Sequence, residues 1–181
     1  MIMIRKLFLF LVVAIIAAIV LYHLGLSAFS LEKTSNRSNS EYPLSKELKE
    51  RIKYEYSTYY ELSPIELSLG ITGSLLEFSE KNNINNGKAN CVGYARLFTS
   101  IYNYALSIDG LDGRAKPVVG SIKWCGINIC NVLKVIVPKK YEDFVKDHDF
   151  VELEFEDNYV YIDPTLYDFC GRTGRTTCPK N

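Results

Sequence analysis

Apolar residues crowd the start of the chain and become periodic afterwards. Leu7 to Tyr22 is almost purely aliphatic and aromatic, and no formal charge falls between Leu7 and Leu31. A helix needs about 20 apolar residues to cross a bilayer core, and this run suffices once Leu24, Leu26 and Phe29 around His23 are included. Arg5 and Lys6 precede it, which holds that end in the cytoplasm and sends the remainder across. Residues 1–31 therefore read as an uncleaved signal anchor forming one transmembrane helix. A cleaved signal peptide, with Ala28-Phe29-Ser30 as its small-x-small site, is the competing reading. The run is long for a signal core of about 7–15 residues, which favours the anchor. Both readings place the rest of the chain outside the cytoplasm, periplasmic or extracellular, and cleavage would make it secreted.

Residues 32–41 are polar, with Ser35, Asn36, Ser38, Asn39 and Ser40, and read as a linker too poor in apolar area to order itself. The domain proper is expected over 42–181. Ser45 can cap a helix from Lys46 to about Tyr56, where Leu48, Ile52 and Tyr56 recur every four residues. Ser63-Pro64-Ile65-Glu66 combines an N-cap serine, a proline at the first helical position and a glutamate three residues after the cap. It predicts a helix to about Lys81, with Ile65, Leu69, Leu76 and Phe78 buried and Gly70 and Gly73 weakening it. Asn82 to Asn90 reads as a loop. Cys91 to about Ser107 is a third helix, with Ala95, Phe98, Tyr102 and Ala105 on one face.

After Gly110 to Gly113 the period shortens to that of strands. Ala115 to Lys123, Ile127 to Val137, His148 to Phe155 and Tyr159 to Asp163 are short runs rich in Val, Ile, Phe and Tyr. Glu156-Asp157-Asn158 makes a hairpin turn between the last two. Helices followed by strands predict an α+β domain with an antiparallel sheet.

Composition changes this picture mainly by exclusion. Twenty-one basic and twenty-one acidic side chains cancel, so nothing favours nucleic acid, whose binding needs a phosphate-neutralising excess. Without Arg5 and Lys6 the remaining 19 basic and 21 acidic groups leave −2, which gives no basic patch for lipid headgroups. No phosphate-binding glycine loop is present. Two histidines leave no spare for a His-rich metal site, and Cys125-x4-Cys130 has neither zinc nor redox spacing. No metal or other cofactor is expected.

Five cysteines are an odd number, so one thiol cannot pair within the chain. Outside the cytoplasm Cys125, Cys130, Cys170 and Cys178 allow two disulfides in three connectivities. Cys91 is then the odd one, at the predicted start of a helix. Unpaired N–H groups and the positive dipole end favour an anion there, which suits a thiolate nucleophile. A small buried cysteine or half of a disulfide is the plainer reading of that position alone. His148 is the domain's one histidine and opens a strand. The hairpin brings Asp163 beside it, where a carboxylate can hold one ring nitrogen and leave the other for the thiol proton. Trp124 reads as core or rim, and Gly171 to Arg175 as a loop stapled by Cys170 and Cys178.

Asn90-Cys91-Val92-Gly93-Tyr94-Ala95-Arg96-Leu97-Phe98, His148-Asp149-Phe150-Val151-Glu152 and Ile162-Asp163-Pro164-Thr165 together resemble the transglutaminase-like superfamily core over about residues 60–168. Val118-Val119-Gly120 resembles the family's strand between the first two motifs, and Phe150 stands where many members carry tryptophan. The resemblance implies a papain-like fold, with helices bearing the nucleophile packed on an antiparallel sheet. It assigns Cys91 as nucleophile, His148 as general acid/base and Asp163 as orienting group. The expected activity is an extracytoplasmic thiol-dependent amide-bond enzyme: peptidase, amidase or protein-glutamine transamidase, working through a Cys91 thioester. Its substrate would be a peptide, protein or peptidoglycan-type amide. The Cys91 N–H is a natural oxyanion donor, while the second donor stays open among Asn85, Asn86, Asn90 and Tyr54, Tyr56, Tyr59 and Tyr60. The alternative is a weakly active or inactive member of the same fold, serving as a binding or scaffolding module at the cell envelope.

Overall fold

The structure, a computed structural model, describes residues 29–37, 42–82, 90–136, 147–154, 158–171, 173 and 176–179. Strand β1 (Phe29–Asn36) comes first, then helices α1 (Lys46–Thr58), α2 (Pro64–Asn82) and α3 (Cys91–Asp109). Strands β2 (Arg114–Trp124) and β3 (Ile127–Asn128) lead into helix α4 (Ile129–Ile136). Strands β4 (His148–Glu154) and β5 (Asn158–Ile162), helix α5 (Pro164–Cys170) and strand β6 (Thr176–Pro179) complete the order.

Local chemistry accounts for the helix starts. Ser45 Oγ accepts from Leu48 N–H at 3.2 Å. Ser63 and Glu66 form a reciprocal capping box, in which Ser63 N–H donates to Glu66 Oε2 at 2.9 Å and Glu66 N–H to Ser63 Oγ at 3.3 Å. Asn90 caps α3, and Gly110 ends it at φ +63°, a left-handed conformation that glycine adopts without strain.

Strands pair antiparallel in the order β1-β2-β4-β5-β6, with β3 on the end of β2. The sheet curls into a half-barrel whose first and last strands meet: Leu31 N–H donates to Thr176 Oγ1 at 2.9 Å. Helix α3 lies between two cores. Its Ala95, Phe98 and Tyr102 pack with Ala115, Val151, Leu153, Val160 and Ile162 of the sheet. Its Tyr94, Leu97, Ile101 and Ala105 pack on Ile52 of α1 and Leu67, Ile71 and Leu76 of α2. The concave face of the sheet holds Leu31, Val118, Phe150 and Tyr161. Gly120 lets β1 close over it, because a Cβ there would stand 2.1 Å from the Glu32 carbonyl oxygen and 2.7 Å from the Phe150 ring.

Three sequence expectations are corrected. The transmembrane helix is the first: among the described residues no helix is long and apolar enough to cross a membrane. The end of the expected span is a strand, with Phe29, Ser30 and Leu31 paired to Trp124, Lys123 and Ile122. Residues 1–28, which hold the remainder, lie outside the described residues. Second, Glu32 to Asn36 belongs to β1 and not to a linker. Its polar side chains are satisfied by ion pairing, Glu32 with Lys123 and Lys33 with Glu152, each at 2.7 Å. Third, the expected strand at 127–137 has two strand residues before it turns into α4. Ile129, Val132, Leu133 and Ile136 also recur at helical spacing, and Asn128 supplies a cap by accepting from Asn131 N–H at 3.3 Å. Val137, the Phe78 side chain and the turn at 155–157 lie outside the described residues.

Candidate active site

Cys91 is the first residue of α3, which the two cores fix against the sheet. Asn90 Oδ1 accepts from Gly93 N–H at 2.9 Å. The N–H groups of Cys91 and Val92, in the first turn, have no intrahelical acceptor, so they point a partial positive charge at whatever lies before the helix. Tyr94 anchors this turn by donating its hydroxyl to Asp168 Oδ2 of α5. Gly73 of α2 leaves room for that carboxylate: a Cβ there would lie 3.2 Å from Asp168 Oδ1.

The β-sheet brings the other two side chains to Cys91. His148 Nε2 lies 2.6 Å from Asp163 Oδ2. Asp163 is completely buried and uses its other oxygen, Oδ1, to accept from Thr165 and Leu166 N–H at 3.0 Å each, capping α5. Its backbone N–H donates to the Thr173 carbonyl at 2.9 Å. The carboxylate is thus held on both sides. With Nε2 committed to Asp163, Nδ1 is the ring nitrogen left to face Cys91, which lies close enough to act on the charge of the imidazole. Burial opposes a charge on His148, but the Asp163 carboxylate and the Cys91 sulfur outweigh it and push the imidazole up to about 10. His148 is therefore an imidazolium at neutral pH.

A second ion pair braces this strand. Arg37, just past β1, forks onto Asp149, donating from Nε to Oδ2 at 2.7 Å and from Nη2 to Oδ1. Asp149 follows His148 and is fully buried. The bond to Asp149 pushes the Arg37 guanidinium further up against the opposing effect of burial, with Asp147 and Cys91 acting in the same direction. Deeper in the concave face, Glu152 is held by Lys33 and Lys116 at 2.7 Å each. Burial would raise the Glu152 carboxyl, and the two lysines hold it below the usual range instead.

The structure thus gathers Cys91, His148 and Asp163, the three residues expected from sequence. It does not gather the disulfide candidates: Cys125 and Cys178 are free thiols, Cys125 on an exposed turn and Cys178 half-buried on β6. The side chains of Cys130 and Cys170 lie outside the described residues. Cys91 is distinguished by its contact with His148 rather than by being the leftover thiol. Among the open oxyanion candidates, Tyr56 donates to Asp109 at 2.7 Å, at the far end of a 19-residue helix whose length is about 27 Å by its 1.5 Å rise. Tyr54, Tyr59 and Tyr60 are exposed around the end of α1, and Asn85 and Asn86 lie outside the described residues.

Arg37 and Asp149 were not singled out by sequence. Asp149, next to His148 and followed by the apolar Phe150 and Val151, was a signal that a cation must answer a buried charge there. The partner sat in a stretch that composition assigned to a linker. Compared with known proteins, the chain matches no family model, no curated protein and no solved structure.

Proposed function

We propose that this chain is a thiol-dependent amide-bond enzyme of transglutaminase-like type, with Cys91 as nucleophile, His148 as general acid/base and Asp163 as orienting group. The observation that carries this reading is the His148–Asp163 pair, 2.6 Å apart, set beside Cys91 at the start of a helix. In the first half-reaction the Cys91 thiolate adds to the carbonyl carbon of a glutamine side chain or peptide bond. The C–S bond forms, and the oxygen takes the negative charge beside the Cys91 N–H. The His148 imidazolium gives its Nδ1 proton to the departing amine, the C–N bond breaks and a thioester remains. In the second, neutral His148 takes a proton from water or an incoming amine, which attacks the thioester and restores the thiolate–imidazolium pair. Water gives a carboxylic acid and an amine gives a new amide. Asp163 keeps the ring in one orientation throughout. A positioned acid/base of this kind is worth about 10²–10⁴-fold.

An activated acyl ester, such as a p-nitrophenyl ester, tests the chemistry without knowledge of the natural substrate. The expected result is a stoichiometric burst of nitrophenolate with an acyl group on Cys91, seen by peptide mass spectrometry. Added hydroxylamine should convert it to a hydroxamate, and Cys91→Ala should show neither. Acylation confined to Cys125, or no burst, contradicts the reading.

A further inference from the structure

At the rim of the sheet farthest along β2, large apolar side chains face solvent together. Trp124 is 46% exposed, Ile127 57%, Val132 43% and Val135 86%. Trp124 is the direct cross-strand partner of both Phe29 on β1 and Ile127 on β3, so the three form one row on one face of the sheet. Helix α4 extends that row: Ile127, Asn128, Asn131, Val132 and Val135 line one open groove of about 460 Å³. Leaving this much apolar surface in water is unfavourable, and contiguous patches of this kind mark interaction sites.

The path of the chain indicates what covers it. Because Phe29 opposes Trp124, everything before residue 29 joins the domain at this rim. The sequence there includes Leu7 to Tyr22, almost purely aliphatic and aromatic. A lipid phase would accept both that sequence and the exposed row beside it. Tryptophan with an exposed indole is favoured where apolar and wet surroundings meet, and amphipathic helices lie in that same layer. We propose that the face carrying Trp124, Ile127, Val132 and Val135 rests on a lipid bilayer, with these side chains entering the headgroup boundary. The inference does not depend on the chemistry at Cys91.

Trp124 is the chain's single tryptophan, so its fluorescence reports on this face alone, whatever residues 7–22 do. The full chain would be mixed with phosphatidylcholine vesicles and sedimented with them. The expected result is a shift of Trp124 emission to shorter wavelength and strong quenching by lipids brominated near the headgroup. In Val132→Asp/Val135→Asp, changes at exposed positions that the core does not use, the shift and the quenching should be lost. Vesicle-bound protein whose Trp124 emission stays that of a solvated indole overturns the proposal, as does failure of the full chain to bind vesicles. A shift that needs no lipid and grows with protein concentration assigns the face to a second copy of the chain, and also overturns it. So does a shift that survives the double substitution.

Discussion

His148 Nε2 and Asp163 Oδ2 are 2.6 Å apart, although fifteen positions separate them in the chain. The antiparallel pairing of β4 with β5 is responsible, since Val151 opposes Ile162 and the residues beyond converge on the same end. Asp163 works twice there, orienting the imidazole through one oxygen and capping α5 through the other.

These two roles are separable. Asp163→Asn keeps an oxygen for the cap but loses the charge that stabilises the imidazolium, so it should slow Cys91 acylation by about 10²–10⁴-fold and lower the unfolding midpoint at neutral pH by the His148 contribution alone. Asp163→Ala should add a loss of about 1 kcal/mol for the missing cap. Single-turnover acylation and urea unfolding of both variants measure the two effects.

The His148 shift has a consequence for stability. Its ordinary value is 6.5 and the folded protein raises it to about 10. A raised value means that the folded state binds the proton more tightly than the unfolded chain. The stabilising contribution is therefore complete below pH 6.5 and is lost as pH climbs toward 10. Unfolding free energy of the wild type, compared with His148→Gln in urea at pH 6, 8 and 10, should show an advantage that shrinks over this window.

Arg37 should matter more than a surface arginine does. Removing it leaves Asp149 charged, buried and unanswered, at a cost of about 3–5 kcal/mol. Arg37→Ala should unfold at correspondingly lower urea, and adding Asp149→Asn should recover part of the loss, because the stranded charge is then gone. A double-mutant cycle gives the coupling.

Gly120→Ala should destabilise by about 1–3 kcal/mol through overpacking. The new methyl group would meet the Glu32 carbonyl and the Phe150 ring. Amide hydrogen exchange should show faster exchange along β1 than along β5, since β1 is the strand displaced.

Most of the helical part was legible because its signals are local. Ser45 and the Ser63–Glu66 box announce their helices without reference to anything distant. The order of Cys91, His148 and Asp163 was legible for the same reason, each standing at the edge of a periodic segment. What failed to show was non-local. Strand β1 carries few apolar residues and is held by its pairing with β2, and its lysine and glutamate answer charges far along the sequence. Strand β6 is four residues long, reads as loop by composition and gains its place by pairing with β5. At 129–136 the β-branched residues suit either a strand or a helix, and a single asparagine cap separates the two.

The central claim is that His148 makes Cys91 a nucleophile. Competitive labelling at pH 6 with a limiting thiol reagent, read by peptide mass spectrometry, tests it most directly. An ordinary thiol, near 8.5, is almost wholly protonated at that pH and reacts slowly. Cys125 is exposed and Cys91 only partly so, so accessibility alone would label Cys125 first. The account predicts that Cys91 is modified first and that His148→Ala abolishes this preference. Labelling that follows exposure, with Cys125 ahead and His148→Ala without effect, would contradict it.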